Sequence, residues 1–69
     1  MNLRIELNGK PHLVDADRRS VAHLIEALEL GGRAVAVAIN RRVVPIPQWG
    51  DYQLEEGDLV DVVKAIGGG

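Results

Sequence analysis

The chain has 69 residues, a formal net charge of −2 and no cysteine. That length supports one small domain burying about 60% of its unfolded surface, and without cysteine neither disulfides nor zinc–thiolate sites can brace it. A slightly acidic balance gives no electrostatic reason to bind nucleic acid, and the lack of a long apolar stretch or a charged-then-apolar leader sets the expectation of a cytoplasmic protein with no membrane contact.

Leu3, Ile5 and Leu7 alternate with Arg4, Glu6 and Asn8, the period of a half-buried strand. Asn8-Gly9 is a two-residue hairpin signal, because both residues tolerate positive φ. The spacing predicts a returning strand over Lys10 to Val14, with Pro11 near its start or on an edge. Ser20 reads as a helix N-cap. Val21, Leu24, Ile25 and Leu28 then recur at helical spacing as one apolar stripe, and Gly31-Gly32 is expected to end the helix.

Val35, Val37 and Ile39 alternate with Ala34, Ala36 and Ala38, which predicts a strand with one bulky and one small side. Asn40-Arg41-Arg42 reads as a tight turn into a short strand at Val43-Val44. Pro45 and Pro47 make the stretch to Tyr52 irregular or a short helical turn. Gly57-Asp58 is another turn. Leu59 to Ile66, apolar at nearly every position, reads as a central strand.

This order, strand–hairpin–strand–helix–strand–short strand–crossing–strand, specifies an α+β domain. One helix packs on one face of a mixed sheet, with the first and last strands side by side and parallel. The arrangement is a β-grasp, or ubiquitin-like, fold. The expected organisation is a domain over residues 1–66 and a flexible glycine tail over 67–69.

Few residues suggest catalysis. His12 and His23 are far apart and have no cysteine or second ligand cluster near them, so surface or structural roles are expected and no metal is. The pairs Asp15/Asp17 and Glu55/Glu56 read as solvated turn residues. Arg18-Arg19 and Arg41-Arg42 read as solvated turns or small contact points for an acidic partner. No Ser-His-Asp pattern and no phosphate-binding glycine loop is present. Trp49 is expected to cap the edge of the core, with a partner contact as the alternative.

What remains is Gly67-Gly68-Gly69, directly after a core strand. Glycine lacks a Cβ, so such a tail can enter a narrow channel and adopt backbone angles closed to other residues. Its last group is read as a free α-carboxylate, an anion at neutral pH since such groups ordinarily have a pKa of about 3.5. The plain alternative is a frayed or inert end.

The set Val35-Ala36-Val37-Ala38-Ile39-Asn40, Val43-Val44-Pro45, Gln48-Trp49, Gly57-Asp58, the valine-rich last strand and the Gly-Gly end resembles the ThiS sulfur-carrier family of thiamin biosynthesis. So do the Asn8-Gly9 hairpin and the Ser20-Val21…Leu24-Ile25…Leu28 pattern. The likeness covers essentially the full length. Two positions depart from the family's usual pattern: Ile46-Pro47 stands where a polar or basic residue often follows the proline, and Arg41-Arg42 where glycine is common.

The resemblance implies a protein co-substrate rather than an enzyme. A ubiquitin-activating-type adenylyltransferase, using ATP, would adenylate the carboxylate of Gly69. Sulfur from a persulfide donor would displace AMP to leave a thiocarboxylate, and thiazole synthase would take that sulfur into the thiazole ring of thiamin. ATP would be used by the activating partner, and no cofactor would be bound by the chain itself. Gly67 and Gly68 would be gripped by the partner's channel.

By strand parity Ala34, Ala36, Ala38, Val63 and Ala65 would lie on the sheet face away from the helix and form an apolar docking surface. Three alternatives stay open: a sulfur carrier for molybdopterin synthesis, cysteine synthesis or tRNA thiolation; a modifier linked to lysine by an isopeptide bond; and a non-catalytic β-grasp binding module.

Overall fold

The computed structural model describes residues 1–32 and 34–64. The strands are β1 (Asn2–Leu7), β2 (Lys10–Asp15), β3 (Val35–Ile39), β4 (Arg42–Val43) and β5 (Leu59–Lys64). One helix, α1 (Val21–Ala27), and two single 3₁₀ turns, at Ala16–Arg18 and Ile46–Gln48, complete the elements. The sheet order is β2-β1-β5-β3-β4. β1 and β5 run parallel at its centre, and all other pairs are antiparallel. This is the expected mixed β-grasp sheet, with the last strand central. The final positions assigned to that strand, Ala65 and Ile66, lie outside the described residues.

Strand parity places the core. Ile5, Val37, Ile39 and Val60 are almost wholly buried under α1, against Val21, Leu24 and Ile25. Leu54, which belongs to no strand or helix, is fully buried among them. Trp49 is half-buried against this core, and its indole Nε1–H donates to the Val44 carbonyl at 2.9 Å. An indole can cap a core edge because its one donor finds a partner there.

The start of α1 accounts for its free donors. Ser20, itself buried, accepts from the His23 N–H through Oγ. The N–H groups of Val21 and Ala22 donate to the carbonyls of Tyr52 and Trp49, at 3.0 and 3.1 Å. The irregular Pro45–Tyr52 crossing thus closes the helix N-terminus with backbone acceptors, satisfying groups that have no intrahelical partner.

The helix ends earlier than Gly31-Gly32. Its C-cap is Leu28, and Glu29 takes the left-handed conformation with φ of 60°. The Leu30 N–H donates to the Ile25 carbonyl and the Glu29 N–H to the Glu26 carbonyl, the pair of bonds of a Schellman motif. Leu30 is 9% exposed. Burying a leucine is worth about 2 kcal/mol, more than the cost of about 1 kcal/mol for a left-handed non-glycine residue. Core burial therefore overrides the glycine signal.

Candidate functional site

The face of the sheet opposite α1 is uncovered among the described residues. On β3, Ala36 is exposed and Ala38 half-buried, while Val35, Val37 and Ile39 turn inward. Ala36 pairs with Val63, and Ala38 with Asp61 on one side and Val43 on the other. Val63 is 63% exposed, so the structure brings Ala36, Ala38 and Val63 together as the alternation predicts. Ala34 is exposed and immediately precedes β3. Ala65, Gly67, Gly68 and Gly69 lie outside the described residues.

The face holds more than small residues. Leu59 shares it with Asp61 and Val63 by β5 parity and pairs with Glu6 of β1. Val43 joins it through its pairing with Ala38 and is 72% exposed. The patch is therefore a strip of Leu59, Val63, Ala36, Ala38 and Val43 with the exposed carboxylate of Asp61 inside it. Sequence reasoning missed Leu59 and Val43. The period-two parity that placed Val63 also places Leu59, whereas Val43 needed the β3–β4 register.

Two hairpin asparagines hold β5 in place. Asn8, with φ of 51°, precedes Gly9 at 84° in the β1–β2 turn, and Asn40 at 50° precedes Arg41 at 71° in the β3–β4 turn. Two consecutive positive φ values are those of a type I′ turn. The Asn40 side-chain oxygen accepts from the Leu59 N–H at 3.0 Å, and its amide donates to Asp58 at 3.2 Å. The other Asp58 oxygen accepts from the Glu55 N–H at 2.9 Å. The Asn8 oxygen accepts from the Val62 N–H at 2.9 Å. Glu56, expected to be merely solvated, accepts from the Arg4 N–H at 2.9 Å.

Elsewhere the surface offers little chemistry. A groove of about 370 Å³ between β2 and α1 is lined by His12, Asp15, Arg18, His23 and Glu26 among others. Its charges are of both signs, and the His23 ring is hydrogen-bonded to Ser20 through Nδ1 at 2.8 Å. Among the described residues no group of three His, Cys, Asp or Glu side chains could hold a metal ion. Among them, too, no helix is long and apolar enough to cross a membrane.

Comparison with known proteins agrees with this architecture. The thiamine biosynthesis protein (ThiS) of Geobacter metallireducens superposes with a TM-score of 0.80 in its crystal structure and 0.77 in its solution NMR structure, each at 29% identity over 97% of this chain. These alignments cover 100% and 88% of the respective Geobacter chains. The sulfur carrier protein ThiS of Escherichia coli is 33% identical over 51 residues, which are 74% of this chain and 77% of that protein. A thiazole synthase of Magnetococcus marinus is 37% identical over 67 residues, 97% of this chain; the chain spans only 20% of that relative's length. The profile of the ThiS family matches residues 2–69. With the family profile matching residues 2–69 of the chain and a curated relative above 30% identity over most of its length, this chain belongs to the ThiS family.

Proposed function

We propose that this protein is the sulfur carrier for formation of the thiamin thiazole, and that the α-carboxylate of Gly69 carries the sulfur. It acts as a co-substrate, not a catalyst. The observation that carries this reading is the extent of the family match, which runs through residue 69 and so includes the glycine end. The Magnetococcus relative, a thiazole synthase with a segment alignable to nearly all of this chain, supports thiazole synthase as the acceptor.

The chemistry follows from the carboxylate. As an anion it can attack the α-phosphate of ATP, releasing pyrophosphate, but it is itself a poor electrophile. The acyl-adenylate supplies AMP as a leaving group. The terminal sulfur of a persulfide then attacks the acyl carbon, AMP departs, and an acyl disulfide forms. A thiol cleaves that S–S bond, leaving the thiocarboxylate on Gly69 and a new disulfide on the donor side. One hard substitution is divided into easier ones. The activating enzyme, of the ubiquitin-activating type, supplies the phosphate clamp and the oxyanion stabilisation. The carrier supplies a positioned acyl group.

Gly67 and Gly68 serve as the thin tether, since a channel wall can approach a glycine backbone closely. The open sheet face, with Ala34, Ala36, Ala38 and Val63, is the docking surface, extended by Leu59 and Val43. Intact mass spectrometry tests the reading. Incubated with ATP, the activating enzyme and a persulfide source, the protein gains about 16 Da as one oxygen is replaced by sulfur. No gain in mass overturns it.

A further inference from the structure

We propose that the activating enzyme sets a cationic side chain, an arginine or a lysine, against Asp61, and that this charge pair selects the carrier. The inference rests on the carrier reading above and says what the open sheet face recognises.

Asp61 is exposed in the middle of that face. Its ladder partner on β3 is Ala38, and Val43 lies beyond Ala38 on β4. Its neighbours on the same side of β5 are Leu59 and Val63. None of these four carries a charge. A partner that covers the apolar strip therefore covers the carboxylate as well. Taking a carboxylate out of water without an opposite charge is costly enough to cancel the gain from a few small apolar contacts. A surface that fits this strip supplies a cation at that point.

The chain itself offers none there. Among the described strand residues, parity puts Glu6, Asp15 and Asp61 on this face, and Arg4 as its one cation. Glu6 stands level with Leu59, so its Cα is about 8 Å from that of Asp61 by strand spacing. Arg4 is two residues further back along β1, with Glu6 between it and Asp61. The face is thus acidic around an apolar strip, on a chain of net charge −2. Such a face is steered towards a cationic surface, and an enzyme that clamps ATP beside a carboxylate is built from cationic groups.

The experiment measures carrier-dependent pyrophosphate release by the activating enzyme, at low and high sodium chloride, with the thermal unfolding midpoint of each variant. Asp61→Asn is expected to raise KM for the carrier about tenfold at low salt, with kcat within about twofold and the midpoint unchanged. The rise of KM with salt seen for the wild type is expected to shrink by about threefold in this variant. Asp61→Leu enlarges the apolar strip, yet its KM is expected to rise by about tenfold or more, because the partner's cation is left unpaired. Asp61→Glu keeps the charge and is expected to hold KM within about threefold.

An unchanged KM in Asp61→Asn overturns the proposal, and so does tighter binding of Asp61→Leu, which would make the strip purely apolar in its recognition. A salt dependence equal to that of the wild type, or an equal loss in Asp61→Glu and Asp61→Asn, also overturns it, because charge is then not what is read. In each of these cases the carrier reading stands. If the wild-type chain supports no pyrophosphate release, the carrier reading itself fails and this inference falls with it.

Discussion

Ala36 stands directly across from Val63 in the antiparallel β3–β5 ladder, and both are exposed on the face away from α1. Cross-strand neighbours at such positions have Cβ atoms about 5 Å apart, so the two side chains form one continuous apolar spot. Ala36→Glu places a charge in that spot without touching the core. The expected result is binding to the activating enzyme weakened by about tenfold, equivalent to about 1.4 kcal/mol, with an unchanged thermal unfolding midpoint. Calorimetric titration of the two proteins checks it, and equal affinity removes this face from the docking surface.

Gly69→Ala tests the chemistry separately from docking. A methyl group beside the attacked carbonyl crowds the approach of ATP and of sulfur. Loading by intact mass is expected to slow by about a hundredfold, while the circular dichroism spectrum and unfolding curve match the wild type. Loading at the wild-type rate would remove the end of the chain from the mechanism.

Ser20→Ala removes the acceptor that closes the first turn of α1 and leaves the His23 N–H without its Oγ partner. Loss of an N-cap costs about 1 kcal/mol. Urea unfolding should show that loss as a lower midpoint with an unchanged slope. A stability equal to wild type would mean that water serves the turn as well as Ser20 does.

Leu54→Ala deletes a fully buried side chain from a core of few residues. Such truncations cost about 2–5 kcal/mol, comparable to the about 3–5 kcal/mol that a single core supplies in a chain this small. The variant is expected to be substantially unfolded at 37 °C, with collapsed amide dispersion in its NMR spectrum. A folded spectrum would show that the loop around Leu54 can close the cavity.

The elements themselves were legible in the sequence, because each rests on a local signal. Alternation at Leu3, Ile5 and Leu7, the Asn8-Gly9 turn, the Ser20 cap and the Val21–Leu28 stripe depend on neighbours within a few positions, and all four stand in the structure. Local signal failed where a distant contact outweighed it. Gly31-Gly32 marks a helix end in sequence, yet the helix stops at Ala27 because Leu30 is drawn into the core. Leu54, in a stretch with no period, shows its burial only once the 49–54 segment has crossed the start of α1.

The sequence by itself determined the inventory: one small β-grasp domain with alternating strands, a capped helix and a glycine end, since propensity, period and turn chemistry act over a few residues. Only the tertiary structure decided which of these meet. Asn8 reads as a turn residue, and Asn40 reads the same way. That their side chains converge on β5, at Val62 and Leu59, follows from the parallel β1–β5 pairing, which joins residues more than fifty positions apart, and from the antiparallel β3–β5 pairing, which joins residues nineteen apart. A side-chain acceptor has no period or propensity that announces its partner. The partner is set by where the sheet places the strand.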